Sequence, residues 1–364
     1  MIRPTWLTRW KEQFFGRRTK KHHPIRRPST LNVLELEDRS VPAFTAFAGG
    51  VLTIDFTLAG ETVNITTSGP NIVLAGSTFT GAGSTFAISA VNKIAVTDLS
   101  SLANQTLTVA NALTLSNGFS STGVERVFFK AAVNAGGGTA ALNVTASTQI
   151  AVGPGANLTG GSGGVTLIGG GSSTKNTVGV TVNNATITTT GNGNVTVTGK
   201  GGSLNSYNAG VSVGIGGVIT SGGGNVTVTG IGGSGIDGFN YGVYLTDASI
   251  ITSGGSGTVT VTGTGGSGNG FNTGIWVLND SQVSSGGSGT VTVTGTGGGN
   301  GNANFGVFVN NASITSGGGD VNVQGIGGSG SGNSNGGVTV VYGTITAGGS
   351  GTVTVTGKIG RAHV

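Results

Sequence analysis

The heptad G-x-V-x-V-x-G recurs down the chain, starting at Gly193, Gly224, Gly257, Gly289, Gly319 and Gly351. The spacings are 31, 33, 32, 30 and 32 residues, and a degenerate copy, GGVTLIG, starts at Gly163. A second marker, Gly followed by an alternating apolar pair, starts at Gly179, Gly210, Gly242, Gly274, Gly306 and Gly337. A third short segment follows it in each period: ATITT, GVITS, SIITS, SQVSS, ASITS and GTITA. A fixed period of this length marks a stacked repeat. In TVTVT the Val side chains share one face and the Thr the other, because strand side chains alternate. One such strand cannot bury its Val face alone. Stacking period on period puts Val over Val at about 4.8 Å and builds a continuous core. No helical apolar pattern appears, and no stretch is long enough for a βαβ crossover. The chain therefore reads as all-β: a right-handed parallel β-helix with three strands per coil of about 32 residues.

The turns fit stacking. Two residues before the second marker stand Asn208, Asn240, Asn272, Asn304 and Asn335. Asn tolerates left-handed backbone and can form a ladder when repeated at one position; these side chains are expected to superpose coil to coil. One residue earlier come Tyr207, Phe239 and Phe271, then Ala303, which read as a stack sealing a corner of the core.

Composition separates this architecture from disorder. The chain holds 75 Gly in 364 residues, and only 8% of residues are charged. Yet 35% are apolar, and they alternate in strand-like runs, which a disordered chain does not require. There is no Cys, hence no disulfide framework and no thiolate site. The net charge of +5 belongs to one end. Residues 1–40 carry ten Lys/Arg against four acidic residues, whereas residues 41–358 carry six basic and eight acidic. The repeat body has no basic stripe for nucleic acid, and no run of 18 apolar residues that would span a membrane. Four segments follow: a basic leader (1–42), irregular β coils or an N-terminal cap (43–160), the regular repeats (161–358) and a tail, IGRAHV (359–364), without counterpart in any period. That tail is expected to be non-native, with the array continuing beyond Lys358.

Two resemblances add to this. LNVLELEDRSVPA, residues 31–43, resembles a short N-terminal element of exported or surface proteins of planctomycete bacteria, roughly L-x-x-L-E-x-R-x-x-P-A. The matching residues are Leu31, Leu34, Glu35, Leu36, Glu37, Asp38, Arg39, Pro42 and Ala43. The resemblance implies export or a surface location, although residues 1–40 lack the apolar core of about 7–15 residues found in an ordinary secretory signal. In period and composition, residues 160–358 resemble the β-helical stalks of bacterial adhesins, filamentous-haemagglutinin-like proteins and autotransporter passengers among them. This implies an extracellular or cell-surface protein whose partner is a polysaccharide or a surface protein.

Reactive groups are scarce. Between residues 131 and 358 the charged residues are Lys175, Lys200, Asp237, Asp247, Asp280, Asp320 and Lys358, with no His, Glu, Arg or Cys. A Ser–His–Asp triad needs His, and zinc needs His or Cys. Asp247 and Asp280 lie in corresponding turns of adjacent periods and form the one candidate carboxylate pair for glycoside hydrolysis. Other periods place Asn184 and Asn311 there, so Asp also serves as a turn former. GGSGID, ending at Asp237, matches a calcium-roll repeat once, where tandem copies are required. GTGGSG at 263–268 fits a dinucleotide motif but precedes no helix pattern. Neither metal nor cofactor is expected.

The outward residue of the second-marker strand varies: Thr181, Ser212, Tyr244, Trp276, Phe308, Thr339. Tyr244, Trp276 and Phe308 thus form an aromatic column on three adjacent coils, a candidate strip for glycan or protein. The alternative is a structural stack covered by the Gly-rich loop. The expected function is structural or adhesive, without catalysis, and it sits where the copies differ. A carbohydrate-active β-helix enzyme and an inert spacer of a larger surface protein are the alternatives.

Overall fold

The computed structural model describes residues 43–360, apart from 101, 172, 173, 176, 331 and 333. The basic leader, the planctomycete-like element up to Pro42, and residues 361–364 lie outside the described residues.

The three strands of each period build three long sheets, called walls here. Wall 1 has thirteen strands, wall 2 twelve and wall 3 nine. One coil runs Val195–Lys200 on wall 1, Val211–Gly214 on wall 2 and Val218–Ile219 on wall 3. Every pairing between coils is parallel, and the fold is a three-walled parallel β-helix with open sheet ends. Register never slips along the repeats: Val195 pairs with Val226, then Val259, Val291, Val321 and Val353. Burial explains the fidelity. Val228, Leu245 and Ile251, one from each wall of a single coil, are fully buried. A one-residue slip would turn every such side chain to solvent, at about 1.5–3 kcal/mol each.

Residues 43–92 close the N-terminal end. Ala43–Ala48 pairs antiparallel with Val51–Phe56, and Thr62–Ser68 with Asn71–Gly76. Thr85–Ala87 adds a further antiparallel strand. These hairpins pair with the first coil on walls 1 and 2, while on wall 3 its strand Leu113–Thr114 pairs only with Val133–Ala135 of the next coil.

Complete coils begin at Lys93. On wall 1, Ile94, Phe119, Leu142 and Val165 pair in succession, so these coils take 25, 23 and 23 residues. The next step, to Val195, takes 30. The walls do not lengthen; one connector does. Between wall 1 and wall 2 the early coil has two residues between Ala146 and Gln149. Later coils have ten or eleven, as between Lys200 and Val211 and between Ile231 and Val243.

These longer connectors are Ω-like loops pinched at a glycine neck. A Cβ built on Gly263 would lie 2.1 Å from the carbonyl oxygen of Gly274, and one on Gly295 2.1 Å from that of Gly306. The chain leaves wall 1 and returns to wall 2 at nearly the same point, where two backbones touch. The paired glycines of the two markers are therefore one feature, the two sides of a neck.

Candidate functional site

The stacked loops carry a buried polar spine. Asn208, Asn240, Asn272 and Asn304 are fully buried and Asn335 nearly so. Asn208 Nδ2 donates to Asn240 Oδ1 at 3.1 Å, and Asn240 Nδ2 to Asn272 Oδ1 at 3.2 Å. Each side-chain oxygen also accepts a backbone N–H from the coil before it: Asn208 to Asn240, Asn240 to Asn272, Asn272 to Asn304 and Asn304 to Asn335. Asn272 Nδ2 is the one ladder amide without a partner. The expected superposition holds, but the left-handed residue is not the Asn. It is the residue before: Tyr207, Phe239, Phe271, Ala303 and Ser334 have φ between 54° and 67°. The Asn side chain must point inward to serve the ladder, so the backbone reversal falls one position earlier.

That reversal throws the aromatic rings outward and corrects the expectation of a core seal. Tyr207 is 60% exposed and Phe271 40%. The rings still stack: Tyr207 on Phe239 and Phe239 on Phe271, each at 4.9 Å, with planes 11° and 3° apart. The spacing equals the coil repeat of about 4.8 Å, so the rings face one another along the axis and turn their edges to solvent.

Tyr244, Trp276 and Phe308 are brought into one column, since Ser212, Tyr244, Trp276, Phe308 and Thr339 pair in register on wall 2. All three aromatics are half-buried. The column is paved by rings that sequence reasoning passed over. Tyr241 stacks on Tyr244 at 4.9 Å and meets Trp276 edge-on at 4.9 Å. Phe305 lies 4.7 Å from Phe308, and Phe271 lies 6.3 Å from Trp276. The signal was available: Tyr241 and Phe305 stand three residues before Tyr244 and Phe308, across the second-marker glycine. Eight aromatic side chains form one connected patch on the loop corner and wall 2. Tyr241, 5% exposed, is its anchor. Burial, then the neighbouring Tyr244 and Tyr207, push its hydroxyl pKa upward, so it stays neutral. The indole N–H of Trp276 is buried without a hydrogen-bond partner.

Each carboxylate of the candidate pair is held by an amide of the next coil. Leu245 pairs with Val277, which sets Asp247 beside Asn279 and Ala248 beside Asp280. Asp247 Oδ1 accepts from Asn279 Nδ2 at 3.2 Å, and Asp280 Oδ1 from Asn311 Nδ2 at 3.1 Å. Both aspartates have positive φ. They are turn formers tied to the next coil; Asn184, Asn279 and Asn311 take the Asp247 position in other coils, whereas Ala248 and Ala312 take that of Asp280. Asp237 stands exposed on a loop. No group of three or more His, Cys, Asp or Glu that could hold a metal occurs among the described residues.

One charged contact went unread in the sequence. Lys175, in the first long loop, donates to Glu125 Oε1 at 2.7 Å and to Asn104 Oδ1 at 3.2 Å, and Glu125 Oε2 accepts from the Asn104 N–H. Burial would raise the Glu125 pKa; Lys175 and the Asn104 N–H, with Arg126 nearby, outweigh it and hold the group below its usual value. This clip fastens the first loop to the short coils. No helix among the described residues is long and apolar enough to cross a membrane. No protein-family model, curated protein or solved structure matches the chain.

Proposed function

We propose that this is an exported structural or adhesive β-helix, without catalysis, that meets an extracellular polysaccharide or a cell-surface protein through its aromatic patch. The observation that carries the reading is the patch itself. Tyr207 and Phe271 are exposed and Tyr244, Trp276 and Phe308 half-exposed within one ring-to-ring cluster; Ile215, Ile236 and Tyr342 are exposed too but are not members of it. Connected exposed apolar surface on a soluble fold marks an interaction site. Its rings offer edges, which carry the positive part of the aromatic quadrupole and suit carbonyl and hydroxyl oxygens. The aspartates being held in turn hydrogen bonds supports a non-catalytic role. The planctomycete-like element supports export.

A second reading, an inert spacer, is favoured by Tyr241 and Phe305 lying over the column. Fluorescence separates the two. Trp6 and Trp10 lie in the leader, so a Trp6→Phe, Trp10→Phe chain reports Trp276 alone. Titration with extracellular polysaccharides and with surface-protein fractions is expected to shift its emission saturably, and Tyr207→Ala with Phe271→Ala to abolish the shift. No response to any of them supports the spacer.

A further inference from the structure

The segment that the coils share carries a second surface. On wall 1 the outward side chains of the heptad form two columns. Thr196, Thr227, Thr260 and Thr292 make one; Thr198, Thr229, Thr262 and Thr294 make the other, all paired in register. Their Val neighbours are fully buried, which locks every Thr outward, and each Thr is partly exposed. Backbone geometry spaces the net at about 4.8 Å between coils and about 6.6 Å along a strand. Among the described residues, none of the eight hydroxyls has a hydrogen-bond partner. Wall 3 differs: there Ser284 donates to Thr252 and Thr346 to Thr315, each at 3.0 Å. The wall 1 net therefore presents its full hydrogen-bonding capacity to water, at fixed two-dimensional intervals, with a methyl group beside every hydroxyl. Neither column holds a charge; Lys200 stands at the end of its strand.

A rigid periodic net has no advantage over a flexible surface when its partner is a disordered liquid or a mobile chain. Against a crystal, each point gains a contact at the same time, and the alignment is already present before binding. Where every outward group is satisfied by water, the matching crystal is crystalline water. We propose that wall 1 is an ice-binding face. This accounts for the repetition itself. A lattice contact is lost wherever one coil departs, so the copies must agree; the net ends where Ile168 replaces the second column's Thr and breaks at Asn322 and Gln324.

The test is partition of the full chain into a slowly growing ice front, with ice-recrystallisation assays alongside. Thr260→Tyr and Thr262→Lys disrupt the centre of the net from outside the core; Thr188→Tyr alters an outward position on wall 3. Circular dichroism and melting check that each variant folds, and the second net variant stands in if the first does not. The wild type and Thr188→Tyr are expected to enter the ice, and the net variants to be excluded like a non-binding protein. Exclusion of the wild type overturns the proposal, as does retention by both folded net variants. Binding of the wild type to crystalline cellulose or chitin, lost in the net variants without any ice partition, would assign the net to a polysaccharide crystal and also overturns it.

Discussion

The short coils at 93–169 and the long coils at 195–358 share three walls, one register and one continuous core, yet differ by about a quarter in length. The short coils turn from wall 1 to wall 2 in seven, three and two residues in turn and fill their interior with Phe119 and Phe129, packed edge-on at 5.8 Å. The long coils use Val in the core and send the extra residues out through a glycine neck. The β-helix therefore does not need its loops to close. They are additions at a single corner, with a stabilising system of their own: the Asn spine within and the aromatic stack outside.

The neck offers the largest break in this comparison. Gly263→Val brings a side chain against the Gly274 carbonyl. A loss of about 4 kcal/mol or more in chemical denaturation is expected, since the clash is with backbone in a packed core. Gly155 in the short coils has open space around its Cβ position but a φ of 74°; there Ala should cost only about 1–2 kcal/mol. Next comes the spine. Asn240→Ala strips the acceptor from the Asn208 N–H and Nδ2, and a loss of about 3 kcal/mol should appear in the same assay, from two buried groups at about 1–3 kcal/mol each.

A smaller effect is expected at the junction of the two regions. Lys175→Ala removes the partner of Glu125, at about 1 kcal/mol for a clip whose lysine is part-exposed. The sign with pH follows from linkage. The Glu125 pKa is lowered on folding, so its contribution is present above the ordinary value of 4.5 and is lost as pH falls through the folded value. The wild type and Lys175→Ala should therefore converge in melting temperature as pH drops below 4.5. Asp320→Asn should change least. Asp320 Oδ1 accepts from the Thr352 N–H and hydroxyl, which lower its pKa. Asn194 and Asn225 do the same task for Asn225 and Thr258 with an amide oxygen. No resolvable shift of the denaturation midpoint is expected.

The long coils were legible because their letters repeat. Period, wall order, the inward Val, the outward column at Tyr244, Trp276 and Phe308, and the Asn spine all followed from spacing. The short coils were not, because Ile94, Phe119 and Leu142 occupy one position without sharing a letter; volume and alternation are kept, not words. The left-handed residue was misplaced for a physical reason. Asn has the better intrinsic tolerance, but its side chain was needed in the ladder, and ring stacking of about 0.5–1.5 kcal/mol offsets the strain at Tyr207, Phe239 and Phe271. The neck needed coordinates, since two glycines eleven residues apart do not announce that they touch.

The direct test of loops appended to a common coil is excision. Residues 170–179, the first long loop, are replaced by Ser-Thr, the connector that residues 147–148 already provide. This loop has a short coil on one side, so only one neighbouring loop loses contacts. The shortened chain should retain the β circular dichroism spectrum and unfold in one cooperative transition, a few degrees lower than the parent. Loss of the β spectrum or of cooperative unfolding, with the glycine necks downstream intact, would contradict the view that one three-walled core runs through both regions.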